Sequence, residues 1–207
     1  MTKFVLLILI IMTNIMIVDI KQLVYNWITA ESRSVDIISD YYCQTRDVFE
    51  TRNNKMLNDL MENKKKNLGD KTYLISAIVG EIGNNSFDHN LGNWPNIMGI
   101  FFAYKITDFE IKIILADRGQ GILKTLKRVK PELKNDSEAL QTAFFEKISG
   151  RTSENRGNGL KFVRESIKNI RANLNFISGN AQAELNHQIK IKQIDQDIKG
   201  CLAILKI

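Results

Sequence analysis

Apolar and polar positions follow two periods along this chain, one helical and one alternating, and the switches between them mark its elements. After an apolar run, "FVLLILIIMTNIMIV" from Phe4 to Val18, residues 20–66 carry aliphatic and aromatic side chains at mixed helical spacing, as at Met56, Leu57, Leu60 and Met61. One or two amphipathic helices are predicted there. Asp70 can cap a further helix, in which "KTYLISAIVGEIGNNSFDH" sets Leu74, Ile78 and Ile82 on one stripe. Two runs rich in Ile and Phe, "IMGIFFAYKI" and "FEIKIILAD", meet at "TDFE" and predict paired strands. Residues 123–149 predict two short helices around a loop at Pro131. The segment "SGRTSENRGNGLKFVRESIKNI" predicts a polar loop that passes into an amphipathic helix with Leu160, Val163 and Ile167 inward. At the end of the chain "QIKIKQID" and "CLAILKI" alternate and predict antiparallel strands joined around Gly200.

That order of elements predicts an α+β fold: a two-layer sandwich of one mixed β-sheet covered by helices on one face. An N-terminal apolar segment and helical extension would occupy residues 1–69, and the main domain residues 70–207. No Pro-rich or Gly/Ser-rich linker separates them. With 207 residues, 44% hydrophobic and 25% charged, the chain is long enough for a core without staples. Only 2 prolines and 12 glycines argue against a low-complexity class, so the glycines are worth locating singly.

A net charge of +6 favours an anionic partner: nucleic acid, a lipid surface or a polyphosphate. The densest basic run, Lys64-Lys65-Lys66, has no interleaved aromatics and reads as a solvated helix end, which disfavours nucleic acid. Cys43 and Cys201 stand alone, and His89 and His187 lack ligand spacing, so neither a disulfide framework nor a transition-metal site is expected. A reducing, cytoplasmic compartment fits. As a helix, the Phe4–Val18 run would cover only ~22 Å, short of the ~30 Å hydrocarbon core, and no A-x-A-like cleavage site follows it. A buried element and an anchor on the cytoplasmic face of a membrane both remain open, as does a homodimer formed through the N-terminal helices.

The stretch "EIGNNSFDHN" is polar where a core helix should be apolar. Glu81, Asn85 and His89 recur every four residues along the edge of the buried stripe, beside Ile75, Ile78, Val79 and Ile82, and such a polar edge looks into a cleft. Polar residues four apart are ordinary on a solvated face. At the edge of a core, however, a carboxylate can orient or deprotonate a water, and an asparagine carbonyl is a hard ligand suited to Mg2+. "DRGQGI" places Asp117, Gly119 and Gly121 at a strand end, and the competing reading is a plain turn. As a site, its Asp can accept a hydrogen bond from an exocyclic base amine, while the glycines let a ligand approach the backbone. In "RGNGL", Gly157 and Gly159 open a helix whose free N–H groups suit phosphate. Lys124 and Phe162 stand where G-x-G-x-x-G would need glycine, and G-x-x-x-x-G-K-[ST] is absent from the sequence.

Taken in order, the three motifs, with 36 positions from Glu81 to Asp117 and 40 from Asp117 to Gly157, resemble the ATP-binding (Bergerat) fold shared by histidine kinases, gyrase, Hsp90-type chaperones and mismatch-repair ATPases. The resemblance covers about residues 70–207. It implies that Asn85 holds Mg2+ against the phosphates of ATP and that Glu81 polarises the attacking group. It further implies that Asp117 binds the adenine amine, with Gly119 and Gly121 shaping the base pocket. Residues 123–155 would be a mobile lid with Thr152 and Ser153 as contacts, and Gly157, Asn158, Gly159 and Leu160 would close on the phosphates. His89 matches a histidine often found at the end of this helix in kinase-type members, in a supporting role. Lys161 departs from the family's frequent G-x-G-L-G-L, and Cys201 follows Gly200 where Gly-Thr is common.

Within that family the kinase-type branch is the closest. No second domain that would supply a lysine to the γ-phosphate follows the last predicted strand, and no histidine precedes His89 to serve as a phosphoacceptor within the chain. Two functions of different class follow. One is an ATP-dependent protein kinase or ATPase in signal transduction, acting on a separate protein partner by in-line phosphoryl transfer. The other is an ATP-responsive regulatory module with slow or no turnover.

Overall fold

Strands form where branched and aromatic side chains alternate in direction, and here both faces of the alternation are apolar. The computed structural model describes residues 19–63, 66–146 and 159–207. The Phe4–Val18 run lies outside them. The elements are α1 (Ile20–Thr29), β1 (Tyr42–Cys43), α2 (Arg46–Glu62), α3 (Lys71–Asn90), β2 (Ile100–Ile106), β3 (Ile111–Asp117), α4 (Gly121–Leu126), α5 (Asp136–Phe145), α6 (Gly159–Ile170), β4 (Asn173–Leu185) and β5 (Ile189–Lys206).

The class is α+β, built on a five-stranded sheet of order β1-β2-β3-β5-β4. Every pairing is antiparallel, whereas a mixed sheet was expected. β3 and β4 do run in the same direction, as a helical crossover requires. β5 is inserted between them, however, so the parallel pair never becomes adjacent.

The alternation sorts each strand into two cores. Ile100, Phe102, Ile113, Leu115, Phe176 and Leu205 face the layer of α2, α3, α5 and α6, where they meet Phe49, Met56, Ile75, Ile78, Val79, Ile82, Leu140, Phe144, Val163 and Ile167. Phe101, Ala103, Ile114, Ala116, Ile177, Leu202 and Ile204 face the other way, onto Ile20, Val24, Trp27 and Ile28 of α1. Within residues 70–207 the helices lie on one face, compatible with the expected two-layer sandwich, and α1, from the N-terminal extension, covers the second. Each of its larger buried side chains contributes roughly 1.5–3 kcal/mol. Among the described residues, no helix is long and apolar enough to cross a membrane.

The C-terminal strands also differ from expectation. "QIKIKQID" and "CLAILKI" do not pair with each other; both belong to β5, which bends at Gly200 (φ 88°). Their partner is β4, in register from Asn173↔Lys206 to Leu185↔Ile189 with shifts around Gly179. β4 is hard to read because its Asn, Ala and Gly residues have low strand propensity. At the start of α3, Asp70 holds the cap position but makes no side-chain cap, because its own backbone is already helical (φ −62°, ψ −16°). Thr72 Oγ1 instead donates to the Gly69 carbonyl at 2.8 Å.

α2 and α3 pack closely at a glycine. A Cβ on Gly83 would sit 2.2 Å from Cζ of Phe49, whose own side chain is fully buried. Asn53 of α2, buried beside it, donates to the Ser76 carbonyl at 3.1 Å. Gly83→Ala should therefore destabilise the fold by about 1–3 kcal/mol in urea unfolding through overpacking. Phe49→Leu should recover part of that loss when the two are combined in a double-mutant cycle. Simple additivity of the two changes would contradict this account.

Candidate functional site

α3 is the wall on which the candidate residues meet. Its Ile75, Ile78, Val79 and Ile82 are buried, and at its C-terminal half Ser86 and Asn90 continue toward the end of β3. Ser86 Oγ donates to Oδ2 of Asp117 at 2.8 Å, and the Gly119 N–H donates to Oδ1 at 2.8 Å. Asp117 is only 2% exposed. Burial pushes its carboxyl above the usual carboxylate range, against the opposing hydrogen bonds from Ser86, Gly119 and Cys201.

Asn90, also buried, ties the turn to α3. Its Nδ2 donates to the Ser86 carbonyl at 2.8 Å, and its Oδ1 accepts from the Gln120 N–H at 2.8 Å. A Cβ on Gly119 would lie 2.1 Å from Asn90 Nδ2, so this position requires glycine. Gly121 has φ 75°, and the Ser178 hydroxyl lies over it. That hydroxyl accepts from the Ile122 N–H at 2.9 Å and donates to the Gly200 carbonyl at 3.1 Å. The space above both glycines is thus taken by protein side chains. Cys201 pairs with Asp117 across the sheet. Burial first, and then the Asp117 charge, push its thiol well above the ordinary value, so it packs as a neutral group.

Glu81 and Asn85 lie one to two turns earlier on α3, both half-buried. The start of α6 meets them: a Cβ on Gly159 would come within 1.9 Å of Glu81 Oε1 and 3.0 Å of Asn85 Nδ2. The first and third motifs therefore touch, and the Glu81 carboxylate lies at the positive end of a helix dipole. Leu160 packs half-buried against the main core. His89 meets the same turn through its backbone, since its carbonyl accepts from Gln120 Nε2 at 3.2 Å. Thr152, Ser153, Gly157 and Asn158 lie outside the described residues.

The expected lid is, over its first two thirds, a packed pair of helices. Leu140 and Phe144 of α5 are fully buried, with the Phe144 ring edge-on to Phe176 at 5.6 Å. Asp136 sits against Gly179, where a Cβ would fall 2.2 Å from Oδ2.

Among the described residues, no group of three or more His, Cys, Asp or Glu could hold a metal. Glu81 and Asn85 together supply two hard oxygen donors. That set fits Mg2+ carried in by a polyphosphate, which fills its other positions with phosphate oxygens and water, better than an ion held by protein alone. A shallow cavity of about 200 Å³ lies at the opposite end of β3, lined by Asp19, Lys105, Glu110 and Lys112 among others. Its mixed charges do not favour a polyanion.

Sequence reasoning missed Ser86, Asn90, Arg118 and Ser178. Ser86 and Asn90 share the stripe of Val79 and Ile82 at i, i+4 spacing, a signal that was available. Ser178 carried none, because its strand was unread. Compared with known proteins, the chain matches no family model and no curated protein.

A raised Asp117 pKa means that the folded state holds this proton more tightly than the unfolded chain. The associated stability is present below the unfolded pKa of ~3.9 and is lost as pH rises through the folded value. Asp117→Asn keeps an acceptor for Gly119 and a partner for Ser86 without the buried charge. It should be at least as stable as the parent at pH 7 by thermal unfolding, and that advantage should shrink near pH 4. A variant equally destabilised at both values would show that the hydrogen bonds outweigh burial.

Proposed function

We propose that the chain is a Mg-ATP-binding domain of the histidine kinase, gyrase and Hsp90-like type, serving in signal transduction as an ATPase or as a kinase of a separate protein. The observation that carries this reading is the convergence on α3 of all three motifs. Ser86 holds Asp117, and Glu81 with Asn85 meets Gly159. A buried acceptor at the end of β3, held by α3, with hard oxygen-bearing side chains one to two turns away beside a helix start, suits a ligand with a base and a polyphosphate.

In this reading an exocyclic amine would join Ser86, Gly119 and Cys201 as a further donor to the Asp117 carboxylate. Asn85 contributes an oxygen to Mg2+, and the metal supplies charge neutralisation at the phosphates when bound. Glu81 orients or deprotonates the attacking water or hydroxyl. The antiparallel sandwich is compatible with the Bergerat arrangement and supports it only at the level of α+β class.

A second reading has its own observation. Glu81 lies against the start of α6, where a carboxylate stabilises the helix terminus, so it can serve the fold without chemistry. The protein would then sense ATP and present a surface to its partner without turnover.

Calorimetry with the whole chain should show Mg-ATP binding in preference to Mg-GTP. Asn85→Ala should weaken that affinity by at least about tenfold; an unchanged affinity would remove Asn85 from the metal. Equal binding of both nucleotides would count against Asp117 as the base acceptor. Glu81→Gln separates the two readings: retained binding with lost hydrolysis or transfer supports the enzyme, whereas a wild type that binds fully but neither hydrolyses ATP nor phosphorylates a copurified partner supports the sensor.

A further inference from the structure

The turn that carries Asp117 also carries Arg118, which is 3% exposed. Its guanidinium lies on the face opposite to Asp117, toward α1. Nη1 donates to the carbonyls of Trp27 at 2.8 Å and Ile28 at 2.9 Å, and Nη2 donates to that of Ala30 at 2.5 Å. These are carbonyls at the C-terminal end of α1, which have no donor within their own helix and carry the negative end of its dipole. Arg118 is therefore the C-cap of a helix some ninety residues earlier in the chain.

Among the described residues Arg118 forms no ion pair, and its buried Nε has no hydrogen-bond partner. What offsets the buried cation is α1 itself. If α1 lifts, the guanidinium must leave the interior for water or stay buried without partners, and the second state is costly. Moving Arg118 moves its chain neighbour Asp117, which Ser86 and Gly119 hold on the other face. α1 is also too short, at 10 residues, to stay helical once undocked. Undocking and melting are thus one event.

We infer that Arg118 is a positioning residue linking the docking of α1 to occupancy of the Asp117 pocket, so that a bound adenine nucleotide tightens α1 and loss of α1 weakens the nucleotide. This rests on the nucleotide reading of the pocket. Linkage demands the same factor in both directions, which a purely structural cap would not produce.

The test is hydrogen exchange on the full chain with and without Mg-ADP, followed by calorimetry on variants. The ligand should slow exchange across residues 20–30 by about fivefold or more. Arg118→Met should speed exchange in α1 while sparing α3, and should lower Mg-ADP affinity by a similar factor without altering the preference for adenine over guanine. Arg118→Lys, which keeps the charge but loses the fork, should fall between. Val24→Ala, remote from the pocket, should lower affinity as well, and it decides the matter if the Arg118 variants fold poorly. Nucleotide binding that leaves α1 exchange unchanged overturns the link and leaves the pocket reading intact. If neither Mg-ADP nor Mg-ATP binds the wild type, the pocket reading fails. The link is then decided without ligand by Asp117→Ala, for which faster exchange in α1 is expected and unchanged exchange overturns it.

Discussion

Two consecutive charged residues at the end of a central strand are both nearly sealed from water, and each must find its partners on opposite sides of the sheet. Asp117 finds Ser86, the Gly119 N–H and Cys201; Arg118 finds the last carbonyls of α1. Burying either charge without hydrogen bonds would cost several kcal/mol, so this turn constrains both layers at once. α3 must bring Ser86 and Asn90 to it, and α1 must end where it does. β5 must supply Gly200, because a Cβ there would fall 2.1 Å from the Asp117 carbonyl.

The same constraint organises the candidate site. Asn90 fills the space over Gly119 and Ser178 the space over Gly121, so the turn is set by protein contacts before any ligand arrives. In the proposed reading, pre-setting a carboxylate in this way would reduce the ordering needed to recognise a base. One to two turns earlier on α3, Glu81 and Asn85 face the first residue of α6. Residues of all three motifs thus meet along the C-terminal half of α3, and the proposed nucleotide reading rests on that convergence.

α1 gives the sheet a second covered face. It buries Val24, Trp27 and Ile28 on the second face of the sheet, and the Trp27 indole N–H reaches the Asp36 carbonyl at 3.0 Å to fix the loop that follows. Because residues 42–62 contribute Cys43, Phe49, Met56 and Leu60 to the same core as α3 and the sheet, one packed interior joins residues on both sides of Asp70.

Strong periodicity was enough to place α3, the β2–β3 hairpin and α6, and with them the α+β class. The sequence also marked Glu81, Asn85, Asp117 and the glycines as unusual, because polar groups and glycines beside apolar runs are visible locally. Long-range packing, by contrast, put α1 on the second face, β5 between β3 and β4, and made β4 a strand despite its asparagines. It alone gave Ser86, Asn90, Ser178 and Arg118 their roles. The physical reason is that burial and hydrogen-bond partners are properties of long-range contact: Arg118 looks like one more surface cation until the chain returns α1 to it, some ninety residues away.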